Sequence, residues 1–74
     1  MDITEFIEKF AEAIEIENVE ALTPKTVFHE LDEWSSISVM LIIAFFDEEF
    51  GKELTNAAIK QAVTVQDLYN LATA

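Results

Sequence analysis

The sequence contains no cysteine, one glycine and one proline. The absence of cysteine excludes a disulfide scaffold and thiolate metal sites, and it fits a reducing compartment. No apolar run approaches the length of a membrane-spanning helix. The amino-terminal segment also lacks the basic start and continuous apolar stretch of a signal peptide. We therefore expect a soluble cytoplasmic protein.

Basic residues are scarce as well, with 4 Lys and Arg against 15 Asp and Glu and a formal net charge of -11. A field of this sign repels nucleic acid and favours basic protein surfaces, so we expect no nucleic-acid or membrane partner and, by default, a monomer. Repulsion among the Asp and Glu carboxylates also opposes the compact folded state. We predict that salt or divalent cations stabilise the fold by acting as counterions.

What the chain does contain is apolar surface, since 51% of its 74 residues are hydrophobic. That content is too high for a disordered acidic tail, and the length allows one modest core. We expect a single domain over residues 1–74. Its first helix is predicted over residues 3–15, where Asp2 with Glu5 can cap the start. The apolar side chains recurring every three or four residues are Ile3, Phe6, Ile7, Phe10 and Ile14.

A long loop is predicted between Asn18 and Ser35, because the periodicity fades there and Pro24 interrupts the chain. The loop is too apolar to be a free linker. We expect it to be pinned to the core by Val19, Leu22, Val27, Phe28, Leu31 and Trp34.

A second long helix is predicted from Ser36 to Phe50, ending at Gly51, where glycine can take the left-handed conformation. Its predicted core stripe is Val39, Ile42, Ile43, Phe46 and Phe50. The opposite face carries Ser38, Leu41, Phe45 and Glu48. We expect Leu41 and Phe45 to point away from the bundle as a docking patch, with packing under the third helix as the alternative.

Thr55 can cap a short helix over residues 56–61, and Thr64 with Asp67 forms a capping-box pattern before a last helix. That helix carries Val65, Leu68, Tyr69 and Leu71. The predicted fold is therefore all-α: a four-helix bundle with three longer helices, one short helix and a long loop between the first two.

Conventional catalysis finds little support in this sequence. His29 is the only histidine, it lies in the loop, and no nucleophile and base are arranged around it, so we interpret it as a packed or surface residue. Asp47, Glu48 and Glu49 fall within a helix and lack the spacing of a calcium loop. We expect no catalytic residues, no metal site and no enzymatic activity.

The informative stretches are Leu31 to Met40, which contains Trp34-Ser35-Ser36-Ile37, and the acidic end Phe46-Asp47-Glu48-Glu49-Phe50-Gly51. Together with the Thr64-to-Leu68 segment, these stretches resemble the acyl carrier protein family over the whole chain. In that family an Asp-Ser-Leu triplet opens the second helix, and an acidic run ending in Phe closes it. The distance in sequence from that serine to that Phe equals the distance from Ser36 to Phe50 here. The resemblance implies a serine that carries a covalent 4'-phosphopantetheine arm and holds acyl groups as thioesters.

The resemblance places the arm on Ser36, with Ser35 as the alternative. A serine in the first helical turn has an exposed hydroxyl, and the free backbone N–H groups there favour a phosphodiester. The chain departs from the family in having Ser35 in place of Asp and Ile37 in place of Leu. We expect the lost charge to weaken recognition by a basic phosphopantetheinyl transferase, although Ser35 can still cap the helix.

The implied partners are that transferase and the acyl-loading, condensing or transferase enzymes of fatty acid, polyketide or related thiotemplate synthesis, with basic or apolar docking surfaces. The expected partner-binding residues are Leu41, Phe45, Glu48, Asp47 and Glu33; Glu30, Asp32 and Glu49 complete the steering charge. Two alternatives remain open. One is an aminoacyl or peptidyl carrier with the same arm, and the other is an arm-less interaction module.

Overall fold

The computed structural model covers all 74 residues and contains four α-helices and two single turns of 3₁₀-helix. The helices are α1 (Ile3–Ala13), α2 (Ser36–Phe50), α3 (Asn56–Gln61) and α4 (Val65–Thr73), and the 3₁₀ turns are Val19–Ala21 and Phe28–Glu30. The predicted all-α bundle, with one short helix and a long loop between the first two, is confirmed. None of the helices combines the length and the apolar character that crossing a bilayer requires.

Helix α1 begins as predicted and ends two residues earlier. Asp2 caps its start by accepting a hydrogen bond from the Glu5 backbone N–H at 2.8 Å. At the other end, Glu15 takes the left-handed conformation with φ 61°. The N–H of Ile16 then donates to the Ala11 carbonyl at 2.8 Å and the N–H of Glu15 to the Glu12 carbonyl at 3.3 Å. This is a Schellman ending, which glycine usually closes, so the sequence offered no signal for it.

The loop before α2 is pinned to the bundle at several points. Leu22 and Phe28 are buried, and Val19, Leu31 and Trp34 pack against the core, as predicted. Backbone bonds add to this packing, because Val65 and Gln66 donate their N–H groups to the carbonyls of Thr26 and Pro24 at 3.0 and 2.9 Å. Val27 pairs with Thr64 through an isolated bridge. The loop thus satisfies first-turn amides of α4 that would otherwise have no intrahelical partner.

Helix α2 ends as predicted at Gly51, which has φ 62° and ψ 30°. Of its predicted core stripe, Ile42 and Phe46 are buried, while Val39, Ile43 and Phe50 are half-buried against the core. Two residues assigned to the outer face are instead inside.

Phe45 and Ser38 are those residues, with exposed fractions of 7% and 3%. The prediction that Phe45 points away from the bundle is therefore wrong. Its ring centroid lies 5.8 Å from that of Phe6 on α1 and 5.6 Å from that of Phe50. Apolar residues surround α2 on nearly every side between Ile37 and Phe46, so periodicity alone could not decide which arc α1 covers.

The last two helices are capped as predicted. The Thr55 side chain accepts from the Ala58 N–H at 3.1 Å, and Thr64 accepts from the Asp67 N–H at 3.2 Å. In return, Asp67 accepts from the backbone N–H groups of Val63 and Thr64 at 2.9 and 3.1 Å. These bonds to the ionised form hold the pKa of the Asp67 carboxyl below its ordinary value. On α4, Val65 and Leu68 are buried, but Leu71 is exposed and Ala72 is buried beside it.

Candidate modification site at the start of α2

The candidate site lies where the pinned loop meets α2. Ser35 is the N-cap, with extended backbone angles of φ -147° and ψ 179°, and Ser36 is the first helical residue. Both serines are exposed, but their surroundings differ. The Ser35 hydroxyl lies 3.5 Å from the Ser38 hydroxyl, whereas the Ser36 hydroxyl has no hydrogen-bond partner. Ser36 therefore presents the freer nucleophile.

Two unpartnered backbone donors belong to the same helical turn as that hydroxyl. The amide N–H groups of Ser36 and Ile37 have no partner in the structure, as expected for the first turn of a helix. Their dipoles and the positive end of the fifteen-residue helix α2 favour negative charge at this point. A phosphate ester on the Ser36 oxygen would lie beside these two donors, so the residues present fit a phosphodiester.

Edge-to-face aromatic contacts hold the loop residue Trp34 next to this turn. The Trp34 ring lies 4.9 Å from the ring of Phe28 and 5.5 Å from the ring of His29. Phe28 is fully buried, so its edge-to-face contact anchors Trp34, the residue two before Ser36, to the core. This is the anchoring role that the sequence suggested for Trp34.

His29 serves the fold in this arrangement. Its Nε2 lies 3.2 Å from the Ile59 carbonyl oxygen and 3.1 Å from the Ala62 carbonyl oxygen. Both partners are acceptors, so Nε2 carries the proton and donates to the end of α3. The loop histidine thus links the loop to α3. The structure brings no three potential His, Asp or Glu ligands together for a metal ion.

The surface next to Ser36 is apolar. Ile37 and Met40 are 64% and 71% exposed, the largest such fractions among the bulky hydrophobic residues. Met40 follows Ser36 by one turn and lies about 40° around the helix from it. No charged residue occurs between Ser36 and Phe46. The hydrophobic pattern did not single out these two exposed residues, although the nearly continuous apolar run indicated that some apolar side chains of α2 would face solvent.

The predicted partner-binding residues do not form one patch around Ser36. Leu41, Phe45 and Glu48 line an open groove of about 400 Å³ between α1 and α2, where Lys9 pairs with Glu49 at 3.5 Å. Leu41 lies about 140° around the helix from Ser36. Asp47 lies on a separate groove, and Glu33 is exposed in the loop before the site. Of the five, Phe45 is buried and Leu41 is half-buried, while the three carboxylates are exposed.

Comparison with known proteins gives a family for the chain. The family model described as "Phosphopantetheine attachment site" matches residues 4–72, nearly the whole chain. The chain belongs to this family. No curated protein and no solved structure matches it. Members of the phosphopantetheine attachment site family bind 4'-phosphopantetheine covalently, so the chain is a carrier protein that bears a phosphopantetheine arm.

Carrier domains of this family are generally non-catalytic. They work with phosphopantetheinyl transferases, which attach the arm, and with synthase enzymes, which use it. The absence of a general base beside Ser36 is compatible with such a division of labour, because the attaching enzyme can supply it. The resemblance stated from the sequence to this class of carrier is confirmed.

Proposed function

We propose that the chain is an acyl carrier protein whose phosphopantetheine arm is attached to Ser36 and serves fatty acid, polyketide or related thiotemplate synthesis. The observation that carries the site assignment is the free Ser36 hydroxyl, which is exposed beside the unpartnered N–H groups of Ser36 and Ile37. Residues 1–74 act as one carrier domain. When bound, the arm supplies a terminal thiol on which cargo is held as a thioester.

The chain's own contribution is presentation of that arm. The pinned loop and the N-terminal turn of α2 fix the Ser36 oxygen at the surface, and the two free amides stabilise the negative charge of the phosphodiester. A transferase must remove the Ser36 proton, since His29 is bonded to α3 carbonyls and is therefore engaged elsewhere. Ser35 keeps its capping place without the Asp usual in related carriers, which supports modification despite that substitution.

We further propose that partners dock on both sides of the arm. Exposed Glu33, Asp47 and Glu48 steer basic enzyme surfaces, and half-buried Leu41 contacts an apolar side chain placed in the α1–α2 groove. Buried Phe45 forms the floor of that groove and shapes it. An aminoacyl or peptidyl carrier would use the same arm and the same surfaces. Only the chemical identity of the group bound as a thioester therefore separates these carrier classes.

The deciding experiment is intact mass before and after incubation with coenzyme A, magnesium and a broad-specificity phosphopantetheinyl transferase. The wild type, Ser36→Ala and Ser35→Ala are compared. We expect wild type and Ser35→Ala to gain one phosphopantetheine and Ser36→Ala to gain none, because only Ser36 has the free hydroxyl beside free amides.

Modification that persists in Ser36→Ala and disappears in Ser35→Ala would move the arm to Ser35. No mass gain in any protein, with several transferases tried, would instead favour the arm-less interaction module. If the arm is attached, the protein is purified from its native cells and treated with hydroxylamine, which releases thioester-bound groups. Mass spectrometry of the released groups then separates acyl from aminoacyl cargo.

A further inference from the structure

Ser38 is the only polar residue that the fold buries, with 3% of its surface exposed. A buried hydroxyl costs free energy unless it is hydrogen-bonded, so its partners indicate what it is there for. It lies two residues after Ser36, on the inner side of the first turn of α2. The sequence pattern had assigned it to the outer face.

Both capacities of the Ser38 hydroxyl are used at this turn. Its Oγ donates to the Glu33 carbonyl oxygen at 3.1 Å and accepts from the Ser35 backbone N–H at 3.1 Å. The Ser38 N–H also donates to the Ser35 carbonyl at 3.0 Å. One side chain therefore joins the last residues of the loop to the beginning of α2.

We propose that Ser38 is a positioning residue for arm attachment, which sets the orientation of Ser36 without contacting coenzyme A or the transferred group. The inference rests on the proposed attachment at Ser36. Ser36 lies directly between the bonded residues Ser35 and Ser38, so its backbone cannot rotate independently of them. On the loop side, Trp34 is anchored to Phe28 in the core. The Ser38 bridge connects that anchor to the helix.

The bridge also distinguishes the three neighbouring serines. Ser38 is buried, and the Ser35 hydroxyl lies 3.5 Å from the Ser38 hydroxyl, on the capping side of the turn. Ser36 alone keeps an unengaged hydroxyl. Loss of the bridge frees the turn to sample other orientations, and the rate of in-line attack by an oxygen depends steeply on its orientation.

The test compares transfer kinetics of wild type, Ser38→Ala and Thr64→Ala, using coenzyme A, magnesium and one purified phosphopantetheinyl transferase. Thr64→Ala is the matched control, because it removes the hydroxyl that caps α4, and that hydroxyl bonds to Asp67 and to none of the residues around Ser36. We expect kcat for arm transfer to fall about tenfold in Ser38→Ala, with KM for the carrier within about twofold of wild type. Thr64→Ala should leave kcat unchanged even if it lowers the thermal midpoint of unfolding as much as Ser38→Ala does.

A second readout tests the bridge on protein without the arm. Amide hydrogen exchange at Ser35 should speed up in Ser38→Ala and not in Thr64→Ala, since only the first variant removes the acceptor of that N–H. An unchanged kcat in Ser38→Ala, or an equal loss in Thr64→Ala, overturns the positioning role. If wild type accepts no arm at all, the proposed function fails and this inference fails with it, whereas the exchange result still reports whether the bridge exists.

Discussion

At the scale of single residues, Glu15 carries the least favourable backbone conformation in the chain. It is the only residue other than glycine with a positive φ, 61°, and it closes α1. For a residue with a side chain, the left-handed region costs about 1–2 kcal/mol. Its carboxylate also lies at the negative end of the helix dipole, in a protein that already has a net charge of -11. The Schellman bonds and buried Ile16 hold it in place.

Replacing Glu15 by glycine should therefore stabilise the protein. We expect the free energy of unfolding of Glu15→Gly to rise by about 1 kcal/mol, because glycine adopts φ 61° without steric cost. Urea unfolding followed by circular dichroism measures the change.

Glu15→Gln is the matched control, since it removes the same charge and keeps the strained conformation. We expect it to recover only a few tenths of a kcal/mol, the part due to charge. Equal stabilisation by both variants would mean that repulsion, and not backbone strain, is the cost at this position.

At the scale of an element, α2 has two apolar surfaces, one buried against α1 and one exposed to solvent. Phe45 faces α1 and lies within a cluster of rings that includes Phe6, Phe46 and Phe50. Ile37 and Met40 face solvent beside Ser36. A hydrophobic pattern cannot tell these surfaces apart, but substitution can, because a buried side chain contributes far more to stability than an exposed one.

Phe45→Ala should cost about 3–5 kcal/mol of stability, since it leaves a cavity between α1 and α2. Met40→Ala should change stability by less than about 0.5 kcal/mol, because its side chain is 71% exposed. We expect Met40→Ala, once loaded with the arm, to transfer its cargo more slowly to a partner enzyme. Urea unfolding and a single-turnover transfer assay measure the two effects.

Phe45→Leu provides a folded comparison if Phe45→Ala does not remain native. Leu41→Glu tests the groove between α1 and α2 in the same assays: slower transfer at unchanged stability would support docking there. A stability loss comparable to that of Phe45→Ala would show instead that Leu41 belongs to the core. Equal transfer rates for Met40→Ala and wild type would show that exposed Met40 does not contact the partner enzyme.

At the scale of the whole molecule, the unbalanced charge is the main opposing force that the sequence reveals. The structure contains a single ion pair, Lys9–Glu49 at 3.5 Å, and both side chains are more than a third exposed. An exposed pair of this kind contributes little. The remaining carboxylates repel one another across a small surface, and counterions reduce that repulsion.

We therefore expect the thermal midpoint to rise between low and moderate salt, with both sodium chloride and magnesium chloride. Differential scanning calorimetry at constant pH measures it. Sucrose is the control, because it stabilises folded proteins without screening charge. If screening is the cause, the salts should raise the midpoint more in this protein than in a control protein of low net charge, whereas sucrose should raise both midpoints alike. An unchanged midpoint in both salts would contradict the role given to charge repulsion.

The sequence by itself determined the features that depend on neighbouring residues. Asp2, Thr55 and Thr64 were identified as caps, and Gly51 as a helix ending, because each forms hydrogen bonds or backbone angles within a few residues. The candidate site at Ser36 came from the resemblance to the acyl carrier protein family, which includes the spacing from Ser36 to Phe50. The family match over residues 4–72 confirms the kind of carrier that this spacing indicated.

The tertiary structure alone decided which side of α2 is covered. Between Ile37 and Phe46 the helix is apolar almost all round, so the burial of Phe45 and Ser38 depends on where α1 and the loop pack. The early end of α1 at Glu15 likewise depends on burying Ile16, which lies outside the helix. Short-range hydrogen bonds are encoded by neighbouring residues. Which face of a uniformly apolar helix is buried is instead set by contacts between segments distant in sequence.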